Sequence, residues 1–399
     1  MRRPGPLGIL FVIVFIDLLG FGMVVPLLQL YARELHAPVA HVGLVSTGYS
    51  AMQLAFAPVW GRLSDRIGRR PMLLGSIAMT AVAFGLTGSA QSFAWLVGAR
   101  LFAGAATANI AIAQAYVADV TTPENRARGM GVIGAAFGLG FVFGPILGGV
   151  LSAYGLGVPF FVAGALAAVN GVLAFFILPE PPVQRSAQVK GRMAALSEAV
   201  RRPRVRRLLV AYLVSVAAFS GFENTFAMLA ADRFGFSSRQ VGYVFALIGV
   251  VMVIVQGRLI GPLTARYGES RLWWSGMVLQ AIAIAAFPFA GAAGLVLACV
   301  PLAVGSGISG PAIASLFSRE SGSEHQGTSL GVAQSASALG RIVGPESGTL
   351  VYHVSQPAPF LVGAVALLVA GAIGARGGSR PGAAGIEGGR GKGYRSADA

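Results

Sequence analysis

The sequence predicts an all-α membrane protein of twelve spans, arranged as two pseudo-symmetric six-helix bundles. Three observations carry this prediction. First, 55% of the 399 residues are hydrophobic and only 11% are charged, with a mean hydropathy of +0.71. A soluble domain of this composition would have to expose large apolar patches, so the solvent is lipid. Second, the chain nearly repeats itself at an offset of 200: Gly61-x-Leu63-x-x-Arg66-x-Gly68 recurs as Gly261-x-Leu263-x-x-Arg266-x-Gly268, Glu124 and Gly131 as Glu324 and Gly331, and Gly140, Gly144, Pro145 and Gly148 as Gly340, Gly344, Pro345 and Gly348. Two equivalent halves are the layout of a secondary transporter, whose bundles rock about a central site. Third, the cations are segregated. With the N-terminus inside, 25 of the 30 Lys and Arg residues fall on inner segments and only Arg33, Arg233 and Arg239 on outer loops, the asymmetry that orients membrane proteins. This placement assigns the net charge of +15 to topology rather than to nucleic acid.

Apolar stretches long enough to cross a hydrocarbon core of about 30 Å follow in order. Span 1 (7–30) comes after MRRPGP; it is too long for a signal peptide, has no convincing cleavage site and carries Asp17. Span 2 (43–60) runs into Gly61, and span 3 (71–90) starts after Arg70. Span 4 (93–117) holds Arg100, span 5 (129–151) the spaced glycines, and span 6 (158–178) stops at Pro179-Glu180-Pro181-Pro182. The second set lies at 207–230, 240–260, 271–290, 293–317, 327–351 and 357–375. The expected organisation is therefore an N-terminal bundle (1–180), a basic cytoplasmic linker (181–206), a C-terminal bundle (207–376) and a disordered cytoplasmic tail (377–399), rich in Gly, Arg and Ser. Residues 194–200 read equally as a surface helix or as part of a solvated tether.

An ionisable group inside a span costs about 2.5–3.5 kcal/mol on insertion scales, so each one asks for a role. Five qualify: Asp17, Arg100, Glu223, Arg341 and Glu346. Asp17 falls near the bilayer midplane, where a carboxylate can carry a proton; a hydrogen bond that packs helices is the plainer alternative. Arg100 reads equally as functional or as a structural charge partner, and Arg341 as the neutraliser of Glu346. Glu223 and Glu346 have no motif support. Phe219, Phe222 and Phe226, with Asn109 and Tyr116, are candidate walls of a cavity for an amphipathic, cationic molecule around Glu223, although most such aromatics face lipid or other helices. Gly140, Gly144 and Gly148 share one helical face, which admits a neighbouring backbone, and Pro145 adds a bend. In the 61–70 loop, glycine geometry makes a short turn. Asp65 there is expected to cap a helix N-terminus and to pair with Arg66, Arg69 and Arg70 in one conformational state, as a gate latch.

Gly61-Arg-Leu-Ser-Asp-Arg-Ile-Gly-Arg-Arg70 resembles the loop signature of the major facilitator superfamily. Asp17-x-x-Gly20-x-Gly22-x-x-x-Pro26 resembles the span 1 motif of its twelve-span drug:proton antiporters, and Arg100-x-x-x-Gly104 the span 4 motif with a proton-linked arginine. Gly140-x-x-x-Gly144-Pro145-x-x-Gly148-Gly149 is similar to the span 5 antiporter motif, associated with export. The nearest type is tetracycline efflux, from Tyr116-Val-Ala-Asp119, Glu124-Asn-Arg-Ala-Arg128, Leu178-Pro179-Glu180 and Gly261-Pro-Leu-Thr-Ala-Arg266. The resemblance implies Asp17 and Arg100 on the proton and substrate path, and Asp65 with Arg66, Arg69 and Arg70 as the cytoplasmic latch. Such pumps carry acids in spans 3 and 9 and a histidine in span 8; here those acids are missing and Met252 stands where the histidine would be, which counts against a metal–tetracycline cargo.

The expected function is an inner-membrane, proton-coupled antiporter that exports small amphipathic compounds, both termini cytoplasmic, working as a monomer with protons and lipid as its partners. It needs no cofactor or metal. The alternative is a carrier of a sugar, siderophore or other metabolite. An intramembrane enzyme is disfavoured: the histidines at 36, 41, 325 and 353 are scattered, no His-Glu-x-x-His helix exists, and Cys299 is the only cysteine.

Overall fold

The structure, a computed structural model, describes residues 6–121, 123–180, 201–321 and 326–375. Among these there is no strand. The described helices form twelve rods: α1 (Leu7–Glu34), α2 (Leu44–Ile67), α3 (Arg69–Gly88), α4 (Phe93–Val120), α5 (Pro123–Leu151), α6 (Val158–Ile177), α7 (Pro203–Phe234), α8 (Ser238–Tyr267), α9 (Glu269–Ala286), α10 (Ala292–Ser321), α11 (Gln326–Val354) and α12 (Ala358–Ala375). Nine are long and apolar enough to cross a membrane by length and composition. The other three, α2, α9 and α11, pack among them. The protein is thus an all-α, multi-pass membrane protein.

Packing repeats with the sequence. In the first half α1 lies on α5 and α6, α2 on α4, and α3 on α6; in the second, α7 lies on α11 and α12, α8 on α10, and α9 on α12. The halves meet along α5–α8 and α2–α11, which are again equivalent seams. We call the end carrying residues 67–69 and 267–269 the loop face, and the end carrying 35–43 and 235–237 the opposite face.

Several rods differ from plain spans. Pro26 tightens α1 into a 3₁₀ turn at Val25–Leu27, because proline removes an amide donor from the α ladder. Rod α4 breaks after Ala106 and restarts at Asn109. The Thr107 hydroxyl turns back onto the Ala103 carbonyl, and the Ser76 hydroxyl from α3 donates to the Ala106 carbonyl at 3.0 Å while accepting from the Ala108 amide at 2.9 Å. One side chain thereby satisfies two backbone groups freed by the break. Rod α8 carries a π-helical turn at Val255–Leu259. Rods α5 and α7 begin several residues before their apolar stretches, at Pro123 and Pro203, the first helical turn being where proline is tolerated. The side chains of Glu124, Arg126 and Arg128, the surroundings of Gly331, residue Glu324, linker residues 181–200 and the tail from 376 lie outside what is described.

Candidate functional site

At the opposite face the halves are joined by hydrogen bonds. Gln29 Nε2 donates to Asn224 Oδ1 at 2.5 Å and the Ser46 hydroxyl to the same oxygen at 2.8 Å; Gln29 and Asn224 are both buried. Thr47 donates to the Ile342 carbonyl at 2.8 Å, and Thr349 accepts from the Gly43 amide and donates to the Ala40 carbonyl. Ser152 and Ser238 hydroxyls meet at 2.7 Å. A partly exposed ion pair, Arg33–Asp232 at 2.6 Å, and a contact of His41 Nδ1 with the Glu346 carboxyl at 3.0 Å flank this core, and Tyr352 adds a bond to Asp232 at 2.9 Å.

The glycine motifs explain how the seams come so close. A Cβ on Gly144 would stand 2.7 Å from Gly22 Cα of α1, and one on Gly344 would stand 3.0 Å from the Gly221 amide nitrogen of α7. Gly140 and Gly148 abut Leu18 and Met23 of α1, while Gly340 and Gly348 abut α7 in the same way. The proline that follows serves the other half: the Pro145 carbonyl lies against Gly242 of α8, and the Pro345 carbonyl against Gly43 at the start of α2. Each motif therefore fixes a bundle internally and supplies a close seam to its partner.

At the loop face the 61–70 segment is held within its own half. Gly68, at φ +112°, makes the turn between α2 and α3, and any side chain there would strike the Glu180 carboxylate. That carboxylate accepts from the Arg69 amide at 2.8 Å and the Arg70 amide at 3.2 Å, so Glu180, not Asp65, caps α3; Asp65 lies in the last turn of α2, on the wrong side of Gly68. Asp65 pairs with Arg69 at 2.7 Å, and Arg69 Nε reaches Asp119 of α4 at 2.8 Å. Arg70 donates to the Phe175 carbonyl at 2.5 Å. Arg66, Gly61, Gly261 and Arg266 are exposed, and Gly61 and Gly261 have open space where a side chain would be. In the second half Gly268, at φ +75°, makes the equivalent turn, and Glu269 pairs with Arg319 at 2.7 Å. These positions match Arg69 and Asp119 at the offset of 200, with the charges exchanged.

Between the faces, α1 to α4 enclose a small pocket lined by Asp17, Phe21, Tyr49, Thr80, Phe84, Arg100 and Thr107. Asp17 and Arg100 are both buried. Asp17 accepts from Asn109 Nδ2 at 2.6 Å, and the same nitrogen lies 3.3 Å from the Thr80 hydroxyl. The break in α4 makes this contact, since Asn109 is the first residue after it. Arg100 lies with its guanidinium 4.4 Å from the centre of the Tyr49 ring, its Nε facing the Val45 carbonyl at 3.5 Å. In the second half, Glu223 of α7 lies within electrostatic reach of Arg341 of α11.

Of the residues expected on one path, the structure brings together Asp17, Asn109 and Arg100 in one half and Glu223 and Arg341 in the other. Asn109 is a partner of Asp17 rather than a wall near Glu223. Glu346 sits at the opposite face with His41, so Arg341 is not its neutraliser; Arg341 bonds Ser337 at 2.7 Å, one turn away. Phe222 is packed in an aromatic cluster with Phe226, Phe287 and Phe360, and the buried Tyr116 ties α4 to the Pro179 carbonyl. Both side chains are buried within their own half. Sequence reasoning missed Tyr49, Gln29 and Asn224, and took Glu180 only as part of a family motif, not as the cap of α3.

The Major Facilitator Superfamily model matches residues 10–345. The class C tetracycline resistance protein of Escherichia coli is 30% identical, over 92% of this chain and 96% of that protein. Multidrug resistance protein 2 of Bacillus subtilis is 27% identical, over 89% and 91%. Among solved structures, the human organic anion transporter MFSD10 (TETRAN) superposes with a TM-score of 0.70 at 28% identity, covering 93% of this chain and all of that one.

Proposed function

The chain belongs to the major facilitator superfamily, a family of transporters rather than enzymes, and we propose that it works as a proton-driven antiporter exporting small amphipathic compounds across the inner membrane. The observation that carries this reading is the buried Asp17, hydrogen-bonded to Asn109 in a pocket shared with Arg100. An ionisable side chain is costly to place at membrane depth and so marks a functional site. The joined opposite face and the separate holding of the loop-face segment support alternating access, with the cavity reached from the loop face. The arginine-rich loop face is then the cytoplasmic one, which puts both termini inside.

The export direction rests on the Gly-Pro face of α5 and on the tetracycline and multidrug resistance relatives. A second cargo class has its own support. Arg100 and Arg341 both lie within electrostatic reach of Tyr49, and the solved relative MFSD10 carries organic anions. The metal–tetracycline chelate is the weakest candidate: α3 has no acid, and the Glu269 of α9 sits at the loop face in an ion pair.

The test is substrate-induced proton movement in inverted membrane vesicles, with ethidium, tetracycline and fluorescein as probes, for the intact protein and Asp17→Asn. Dissipation of the proton gradient by one probe, abolished in Asp17→Asn, is the expected result. Probe transport that leaves the gradient untouched in the intact protein would overturn the antiport reading.

A further inference from the structure

The resemblance to drug antiporters puts Arg100 beside the proton site, yet in the structure Asp17 takes its hydrogen bond from Asn109, and Arg100 lies over Tyr49. Among the described residues, Arg100 has no carboxylate within ion-pair distance. Its position follows from α2. A Cβ on Gly104 would stand 2.9 Å from Tyr49 Cα, so the glycine one turn beyond Arg100 lets the α2 backbone lie directly on α4. That contact brings the Tyr49 ring under the guanidinium and the Val45 carbonyl to its Nε. Phe21 closes the side of the ring with centroids 6.3 Å apart, and Gln53 Nε2 lies 3.4 Å from the Tyr49 hydroxyl. The ring is the surface that holds the cation, since a guanidinium over an aromatic face is attracted by the ring quadrupole, more strongly where water is excluded.

We propose that Tyr49 is a positioning residue for the proton step: its ring keeps the Arg100 guanidinium off Asp17, leaving the carboxyl free to gain and lose a proton against Asn109. The inference rests on the proton-carrier reading of Asp17. Asp17, Tyr49 and Arg100 are the titratable or charged groups among the residues lining the pocket; Thr80 of α3 and Asn109 of α4 lie against Asp17, Thr107 of α4 bonds the Tyr49 side chain, and Arg341 reaches Tyr49 from α11. Without the ring, the nearest counter-charge for a buried guanidinium in this pocket is Asp17. The two would collapse into an ion pair, because a desolvated cation seeks a partner, and the carboxyl would stop exchanging its proton. The hydroxyl of Tyr49 plays no part in this device.

Infrared difference spectroscopy of the purified full-length protein, titrated across pH without any substrate, tests it. The intact protein should show a protonated-carboxyl band that titrates and is absent in Asp17→Asn. Tyr49→Phe, which keeps the ring, should retain the band; Tyr49→Leu should lose it. Tyr49→Leu with Arg100→Gln should regain it, which also shows that the leucine chain folds. In vesicles, with a probe found to be coupled, Tyr49→Leu should lower proton movement at least about tenfold, the scale of a desolvated cation–π contact. A band kept in Tyr49→Leu, or lost equally in Tyr49→Phe, overturns the role of the ring while leaving Asp17 as carrier. A band missing from the intact protein overturns the carrier reading itself.

Discussion

The seam between α5 and α8 makes a quantitative prediction about which face opens. A Cβ on residue 242 would stand 2.5 Å from the Pro145 carbonyl oxygen and 3.0 Å from Gly149 Cα, against a comfortable carbon contact of about 3.5–4.0 Å. Gly242→Val therefore demands that α5 and α8 part by about an ångström at the opposite face, and its two methyl groups add to the demand. Overpacking of this kind costs about 1–3 kcal/mol. The strain exists only while the seam is shut, so it acts wholly on the conformational equilibrium, a shift of about 5- to 150-fold toward the form open at that face. The buried Cys299 is the only cysteine, so Cys299→Ala with Phe219→Cys gives a single reporter on α7, below the Asn224 cluster. Labelling by an impermeant maleimide from outside whole cells should speed up at least about fivefold in Gly242→Val. Gly75→Val, where a Cβ meets nothing within 4 Å, should leave the rate alone. A folded Gly242→Val protein labelled at the parental rate would refute the reasoning.

The same reporter ranks the polar contacts. Asn224→Leu removes the close acceptor of the buried Gln29 amide and leaves it only the Ser46 oxygen at 3.4 Å, a loss of about 1–3 kcal/mol that should speed labelling by tenfold or so, whereas Arg33→Ala removes a partly exposed pair worth about 0–1 kcal/mol and should change it by less than about fivefold. Glu180→Ala removes the acceptor that caps α3 and should cost about 1 kcal/mol, read as a lower unfolding temperature in detergent, with Glu180→Gln losing less. Arg69→Glu with Asp119→Arg rebuilds in the first half the polarity of Glu269–Arg319, but Asp65 then faces a like charge. Adding Asp65→Ala, the residue found at 265, should restore thermal stability lost in either single variant; a triple variant no more stable than the singles would count against equivalence of the two pairs.

Much of the architecture was legible because a long apolar run and a shared offset are properties of local sequence. The spaced glycines were legible as close-packing faces for the same reason, since residues four apart must share a helical side. The site was legible in its charges and not in their partners. Glu180 caps a helix more than a hundred positions earlier in the chain, and nothing in Pro179-Glu180-Pro181-Pro182 announces that. The break in α4 has neither Gly nor Pro at its centre; it depends on Ser76 of another helix, so an unbroken span was the natural expectation, and with it Asn109 pointed elsewhere. Arg341 and Glu346 are five residues apart, too far round the helix to face each other, which sequence spacing alone could have revealed. The exchanged pair Glu269–Arg319 was also present in the sequence, but a search for repeated identities passes over repeated positions of opposite charge.

That exchange bears on how the two halves divide their work. The frame is symmetric: both prolines present a carbonyl to a glycine of the other half, and both first helices lie on a glycine face. Seams made of backbone and small residues can open and close with little side-chain rearrangement, as rocking requires. The ionisable chemistry follows a different plan. The first half holds an acid bonded to an amide and a cation held on an aromatic ring, while the second sets Glu223 and Arg341 within reach of each other. Tyr49 stands between the two sets, within electrostatic reach of Asp17, Arg100 and Arg341. A symmetric frame supplies two equivalent motions, but coupling needs a proton and a cargo to be sensed differently, so the asymmetry of the charges is where direction and coupling must reside. Substitutions in the seams should therefore change which face is open, and substitutions around Tyr49 should change what that opening is coupled to.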